Sequence, residues 1–169
     1  MVNSRVCLAI GAVLLAAAPA MQSQPQQPDP MKAITGTFNG VHKNLLEMAE
    51  DFPADKYGFK PKPEMRSFGE VIVHVFSGTT YAAKAGRGEA AKWTELDPKA
   101  YADKAAVVAG FKKAIADADA SLKATPATRF ASSPEPWLSV IEHSAEHYGL
   151  LVAYYRLNGL VPPASRPKK

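Results

Sequence analysis

The chain has a single cysteine, Cys7, and it lies close to the start. The residues around it read as a secretory signal. Arg5 supplies a positive start, Val6 to Ala18 a short apolar run, and Ala18-Pro19-Ala20 a small-x-small cleavage site. Cys7 is too far upstream of that site to carry a lipid anchor, so it is expected to leave with residues 1–20, giving a periplasmic or secreted mature chain. A mature chain without cysteine has no disulfide, no thiol nucleophile and no thiolate metal ligand. Its stability then rests on its core, with a metal as the remaining staple.

Other absences narrow the class further. The apolar run is too short for a comfortable membrane span and gives way to a polar linker, residues 21–29, so no stable membrane anchor is expected after cleavage. The net charge of +4 is mild and the basic residues form no run interleaved with aromatics, which argues against nucleic acid as a partner. Residues 164–169 read only as a basic tail. No segment alternates with period two, so strands are not expected.

What is present is helical periodicity. At 169 residues and 47% hydrophobic, the chain has apolar material for one domain with a real core. A first helix is expected from Asp29-Pro30, with Asp as cap, along the seam Met31, Ile34, Phe38, Val41, Leu45, Met48 and Phe52. Pro53 ends it, and Tyr57 and Phe59 are placed to pin the long connection that follows. Ser67-Phe-Gly-Glu70 is a capping box opening a second helix that runs out near Gly86-Arg-Gly88. A third segment follows Asp97-Pro98 and is strongest from Lys104 to Ala124. Ser133 as cap and Pro134 at the first position open a fourth, which Asn158-Gly159 and Pro162-Pro163 close. The expected fold is an all-α four-helix bundle over residues 30–163.

Four histidines remain in the mature chain: His42, His74, His143 and His147. His143 and His147 are four apart on one helix and share a face. Two imidazoles so placed can hold one metal ion if a third ligand arrives from elsewhere, and His74 lies among the inward residues of the second helix. Ser144 directly after His143 excludes the H-E-x-x-H protease pattern. Neutral imidazole suits zinc, nickel and ferrous iron, and three protein nitrogens leave a position open, as catalytic sites do. On spacing alone, a metal site and a satisfied polar core cluster remain equal alternatives. His42 lies beside the first helix's seam and is a candidate acid/base or further ligand, against the alternative of boundary packing. Tyr148 and Tyr154 are candidates to line a substrate pocket, against the alternative of core.

Ser67-Phe-Gly-Glu-Val-Ile-Val-His74 resembles the second-helix motif of the DinB-like superfamily, and His143-Ser-Ala-Glu-His147 through Pro163 resembles its last helix and exit. Tyr57-Gly-Phe-Lys-Pro and Glu64-Met-Arg-Ser-Phe are similar to the family's entry to the second helix. The resemblance covers roughly residues 30 to 163. It implies an up-up-down-down bundle with a divalent metal, zinc or nickel, on His74, His143 and His147, often in a homodimer. It further implies metal-dependent hydrolysis or thiol-dependent transfer on a small-molecule substrate. The signal peptide departs from the thiol-dependent relatives, whose cofactors are chiefly cytosolic. A non-catalytic secreted bundle that binds a metal or small ligand is the alternative expectation.

Overall fold

The computed structural model describes residues 29–167. The expected signal peptide, residues 21–28 of the linker and the last two residues of the basic tail lie outside the described residues. The helices are α1 (Pro30–Asp51), α2 (Phe68–Gly86), α3 (Lys104–Ala124), α4 (Ala127–Ser132) and α5 (Glu135–Leu157), with three short 3-10 turns; no strand occurs among the described residues. The four long helices form the expected all-α bundle.

Local chemistry sets most boundaries. Asp29 accepts a hydrogen bond from the Met31 amide at 2.9 Å, and Pro30 opens α1. In the capping box of α2 the Glu70 amide donates to the Ser67 hydroxyl at 3.2 Å, and the Ser67 amide donates to the Glu70 carboxylate at 2.6 Å. Asp97-Pro98 makes only a 3-10 turn, and α3 begins at Lys104 under an Asp103 cap. Ser133 is not the expected cap of α5. Its amide closes α4 by donating to the Arg129 carbonyl at 2.9 Å, and Pro134 takes the cap position instead. Gly159, with φ +70°, ends α5 as the Asn-Gly signal requires.

The core has two halves, and their membership fixes the direction of each helix. At one end lie the C-terminus of α1, the N-termini of α2 and α3, and the C-terminus of α5. There Phe52 stacks on Phe68 with ring centroids 3.8 Å apart, and the Tyr155 hydroxyl donates to the Met48 carbonyl at 2.9 Å. Lys104 donates to the Phe52 carbonyl at 2.8 Å, and Tyr154 to the Arg66 carbonyl at 2.6 Å. At the other end Phe38, Ala82, Ala83, Leu122, Trp137 and Val140 cluster, and Ser121 donates to the Ala83 carbonyl at 2.8 Å. The helices therefore run up-down-down-up, which corrects the expected up-up-down-down order.

The reason lies in the two long connections. Residues 52–67 do not cross the bundle; they fold over one end. The Tyr57 hydroxyl donates to the Ala49 carbonyl, the Gly69 amide donates to the Tyr57 carbonyl at 3.0 Å, and Phe59 meets Tyr154 edge-on, so both expected pins hold. Residues 87–103 must instead travel the length of α2, about 28 Å at the helical rise. Arg166, in the expected basic tail, docks back on the bundle through two hydrogen bonds to Asp51 at 2.5 and 2.8 Å.

The close seating of α2 on α5 gives a test. A Cβ at Gly86 would overlap the ring of Trp137, a side chain only 1% exposed. Gly86→Ala should therefore destabilise the protein by roughly 1–3 kcal/mol, although helix propensity alone favours alanine by about 1 kcal/mol. Denaturant unfolding of the two proteins reads the sign, and a stabilised variant would contradict the packing described.

Candidate metal centre

α2 and α5 are neighbours in the bundle, and this brings His74 onto the same spot as the His143–His147 pair. Ring centroids are 4.7 Å apart for His74–His143, 4.7 Å for His74–His147 and 4.4 Å for His143–His147. One ligand nitrogen from each lies within 4.8 Å of the others, and no other group of this kind occurs among the described residues. The Nε2 atoms of His74 and His143 are 2.9 Å apart. Each ring is partly buried, and the His74 side chain is 13% exposed.

The protonation pattern follows from the partners. Glu95 can only accept as a carboxylate, so His74 donates from Nδ1 to it, at 2.9 Å and 2.7 Å from its two oxygens. With its hydrogen on Nδ1, His74 turns its other nitrogen, Nε2, toward Nε2 of His143. The Nδ1 atoms of His143 and His147 are buried without a partner. Burial, then the charges of His147 and His74, pushes His143 down to about 4. Burial and the His74 charge likewise lower His147. These two imidazoles are therefore neutral ligands at pH 7. Three close imidazoles with two orphaned buried nitrogens fit a divalent metal ion.

Two groups at the cluster escaped the sequence reading. Glu95 and Trp93 lie on the connection between α2 and α3, which carries no periodic pattern. The Trp93 ring stands edge-on to His143 with centroids 4.7 Å apart, and 6.1 Å from His74. Arg66, at the entry to α2, reaches within 4.0 Å of Glu95. An aromatic residue and a leucine inside an otherwise polar loop, Trp93-Thr-Glu-Leu96, were the available signal.

His42 is not brought to this cluster. It is fully buried in the bundle, donates from Nδ1 to the Phe38 carbonyl at 2.8 Å, and lies 3.2 Å from the Ser144 hydroxyl through Nε2. Thr79 is 3.1 Å from the same nitrogen but has the Val75 carbonyl as its own acceptor, so Ser144 is the donor to His42. Ser144 thus has a histidine partner, but it is completely buried and the third member is a backbone carbonyl. No substrate reaches it, and its role is to satisfy the core. Tyr154 is 1% exposed with its hydroxyl on the Arg66 carbonyl, and Tyr148 is half-buried against the core near α5's C-terminal half. The cavity of about 850 Å³ in this protein lies elsewhere, between Tyr57, Val73, Tyr101 and Val107, and none of the three clustered histidines lines it.

A family model described as the DinB superfamily matches residues 37–154. Among curated proteins, none matches the chain.

The buried His42 has a consequence for stability. Burial, only partly opposed by its bond to Phe38, lowers it from 6.5 to about 4. The unfolded chain therefore binds the proton first, and His42 contributes stability that is present above pH 6.5 and lost as pH falls toward 4. The loss is about 3 kcal/mol at one proton. Unfolding free energies measured across that window should fall steeply in the native protein and less steeply in His42→Gln. An unchanged slope in the variant would contradict this placement.

Proposed function

The chain belongs to the DinB superfamily, and on that premise we propose that His74, His143 and His147 hold one divalent metal ion, zinc or nickel, for hydrolysis of, or group transfer to, a small molecule. The observation that carries the reading is the convergence of three imidazoles from two helices, with the Nδ1 atoms of His143 and His147 left without protein partners. A divalent ion on three protein nitrogens supplies Lewis acidity to a substrate oxygen or to water at its remaining positions.

The chain's own contributions are positional. α5 fixes His143 and His147 one turn apart, and α2 delivers His74 from the facing side. Their lowered proton affinity at His143 and His147 keeps them available as ligands at neutral pH. Trp93 borders the site and is 36% exposed, an apolar wall beside the histidines that limits water on that side. Arg66 adds a cation near Glu95, suited to a substrate with an anionic group. Export through the N-terminal signal, proposed from the sequence, would place this chemistry in the periplasm or outside the cell.

A second reading has a specific observation behind it. Glu95, the carboxylate at the cluster, is engaged by His74, Trp93 and Arg66, and His42 is sealed in the core, so neither is a free general base. This favours a non-catalytic bundle that binds the metal or a small ligand.

Metal analysis of the mature protein purified without a histidine tag should return one zinc or nickel per chain, and the His143→Ala/His147→Ala double variant should return none. No stoichiometric metal, or the same content in the double variant, would refute the site. Screening the loaded protein against esters, lactams and thiol-conjugation substrates separates the two readings. Turnover that vanishes in His74→Ala supports the enzyme, and turnover that survives it contradicts the metal mechanism.

A further inference from the structure

Residues 91–97 carry no regular structure, yet three independent contacts seat them on α2 beside the histidines. The Leu96 amide donates to the Ser77 hydroxyl at 3.0 Å. The Trp93 ring lies on the bare backbone of Gly78, where any Cβ would overlap it, one helical turn beyond His74. Glu95 accepts from His74 Nδ1 and, at 3.3 Å, from the Trp93 indole nitrogen, and it also faces Arg66. One short strap therefore touches two of the three histidines, through a carboxylate on His74 and an aromatic edge on His143.

We propose that this strap is the positioning element of the histidine site: Glu95 holds His74 in the tautomer that presents Nε2 as a ligand, and Trp93 backs His143. The inference rests on the metal reading above and adds to it the residues that orient the ligands. The physical reason is the two-sidedness of imidazole. Fixing hydrogen on Nδ1 commits the Nε2 lone pair to the cluster, and an ionised acceptor raises the ring's donor strength. Neither His143 nor His147 has a carboxylate partner among the described residues, so the orientation of the cluster relies on His74 more than on the other two. Gly78 is required because only a residue without a side chain lets the indole lie against α2 at that height.

The strap predicts a graded response to substitution. Glu95→Gln keeps an oxygen acceptor for Nδ1–H but loses the charge; Glu95→Ala loses both. Zinc affinity, measured by competition with a chromophoric chelator, should fall about 10-fold to 100-fold in Glu95→Ala, with Glu95→Gln between it and the native protein. The helical circular dichroism of the metal-free variants should match the native protein, because Glu95 is half-exposed and lies outside the helices. Cobalt(II) should quench the emission of Trp93 on binding, and the quenching should be smaller in Trp93→Phe, where the remaining Trp137 is buried and stands about 9 Å along α5 from His143.

Native protein that binds zinc, with Glu95→Ala binding it equally well, would overturn the positioning role and leave the three-histidine site standing. Binding by native protein with no change in Trp93 emission would overturn the placement of the strap over the site. Native protein that binds neither zinc nor cobalt would sink the metal reading and this inference with it.

Discussion

Moving an imidazole out of water leaves two ring nitrogens that must each find a partner, and the four histidines of this protein meet that constraint in different ways. His42 meets it fully, with a backbone carbonyl on one side and a serine hydroxyl on the other. His74 meets it with Glu95 on Nδ1 and a neighbouring histidine on Nε2. His143 and His147 do not meet it within the protein at Nδ1. An unpaired polar atom in a folded interior costs roughly 1–3 kcal/mol, so a bundle that keeps two of them side by side forgoes stability at that point. A bound cation gives the arrangement a reason. The same comparison separates His42, whose burial serves the core, from the cluster that serves a ligand.

Chain direction is what assembles the cluster and its cover. α2 and α5 run antiparallel, and the N-terminal half of α2, which carries His74, faces the middle of α5 where the H-x-x-x-H pair sits. Because α2 and α3 run in the same direction, the chain between them must return along the bundle, and this carries Trp93 and Glu95 past the histidines. In an up-up-down-down arrangement the return segment would fall after α1 and the strap would not exist. Stability is concentrated away from the site, in the aromatic packing of Phe52, Tyr57, Phe68 and Tyr155 at one end and of Phe38 with Trp137 at the other.

Much of this was legible in the sequence because helix formation is local. The caps at Asp29 and Ser67, the stop at Asn158-Gly159 and the apolar spacing of all four long helices depend on residues a few positions apart. The three clustered histidines were legible for the same reason, combined with the family's ordered motif. Helix direction was not, because periodicity says which face is buried and nothing about which end a connection returns to. Ser133 misled because two helices compete for it, and α4 took it as its end. His42 stays undecided in the sequence because a position beside the seam looks alike whether its neighbour is solvent or Ser144 on a distant helix. Glu95 and Trp93 act on His74 and His143, 21 and 50 residues away along the chain, from positions with no repeating pattern to mark them.

The central claim is that one metal ion sits among His74, His143 and His147. X-ray absorption at the metal edge of the loaded mature protein tests it most directly. Three nitrogen neighbours at about 2.0–2.1 Å for zinc, with the outer scattering of imidazole rings, are what the geometry predicts. A first shell of oxygen atoms alone, without imidazole scattering, would place the ion elsewhere on the protein and contradict the account.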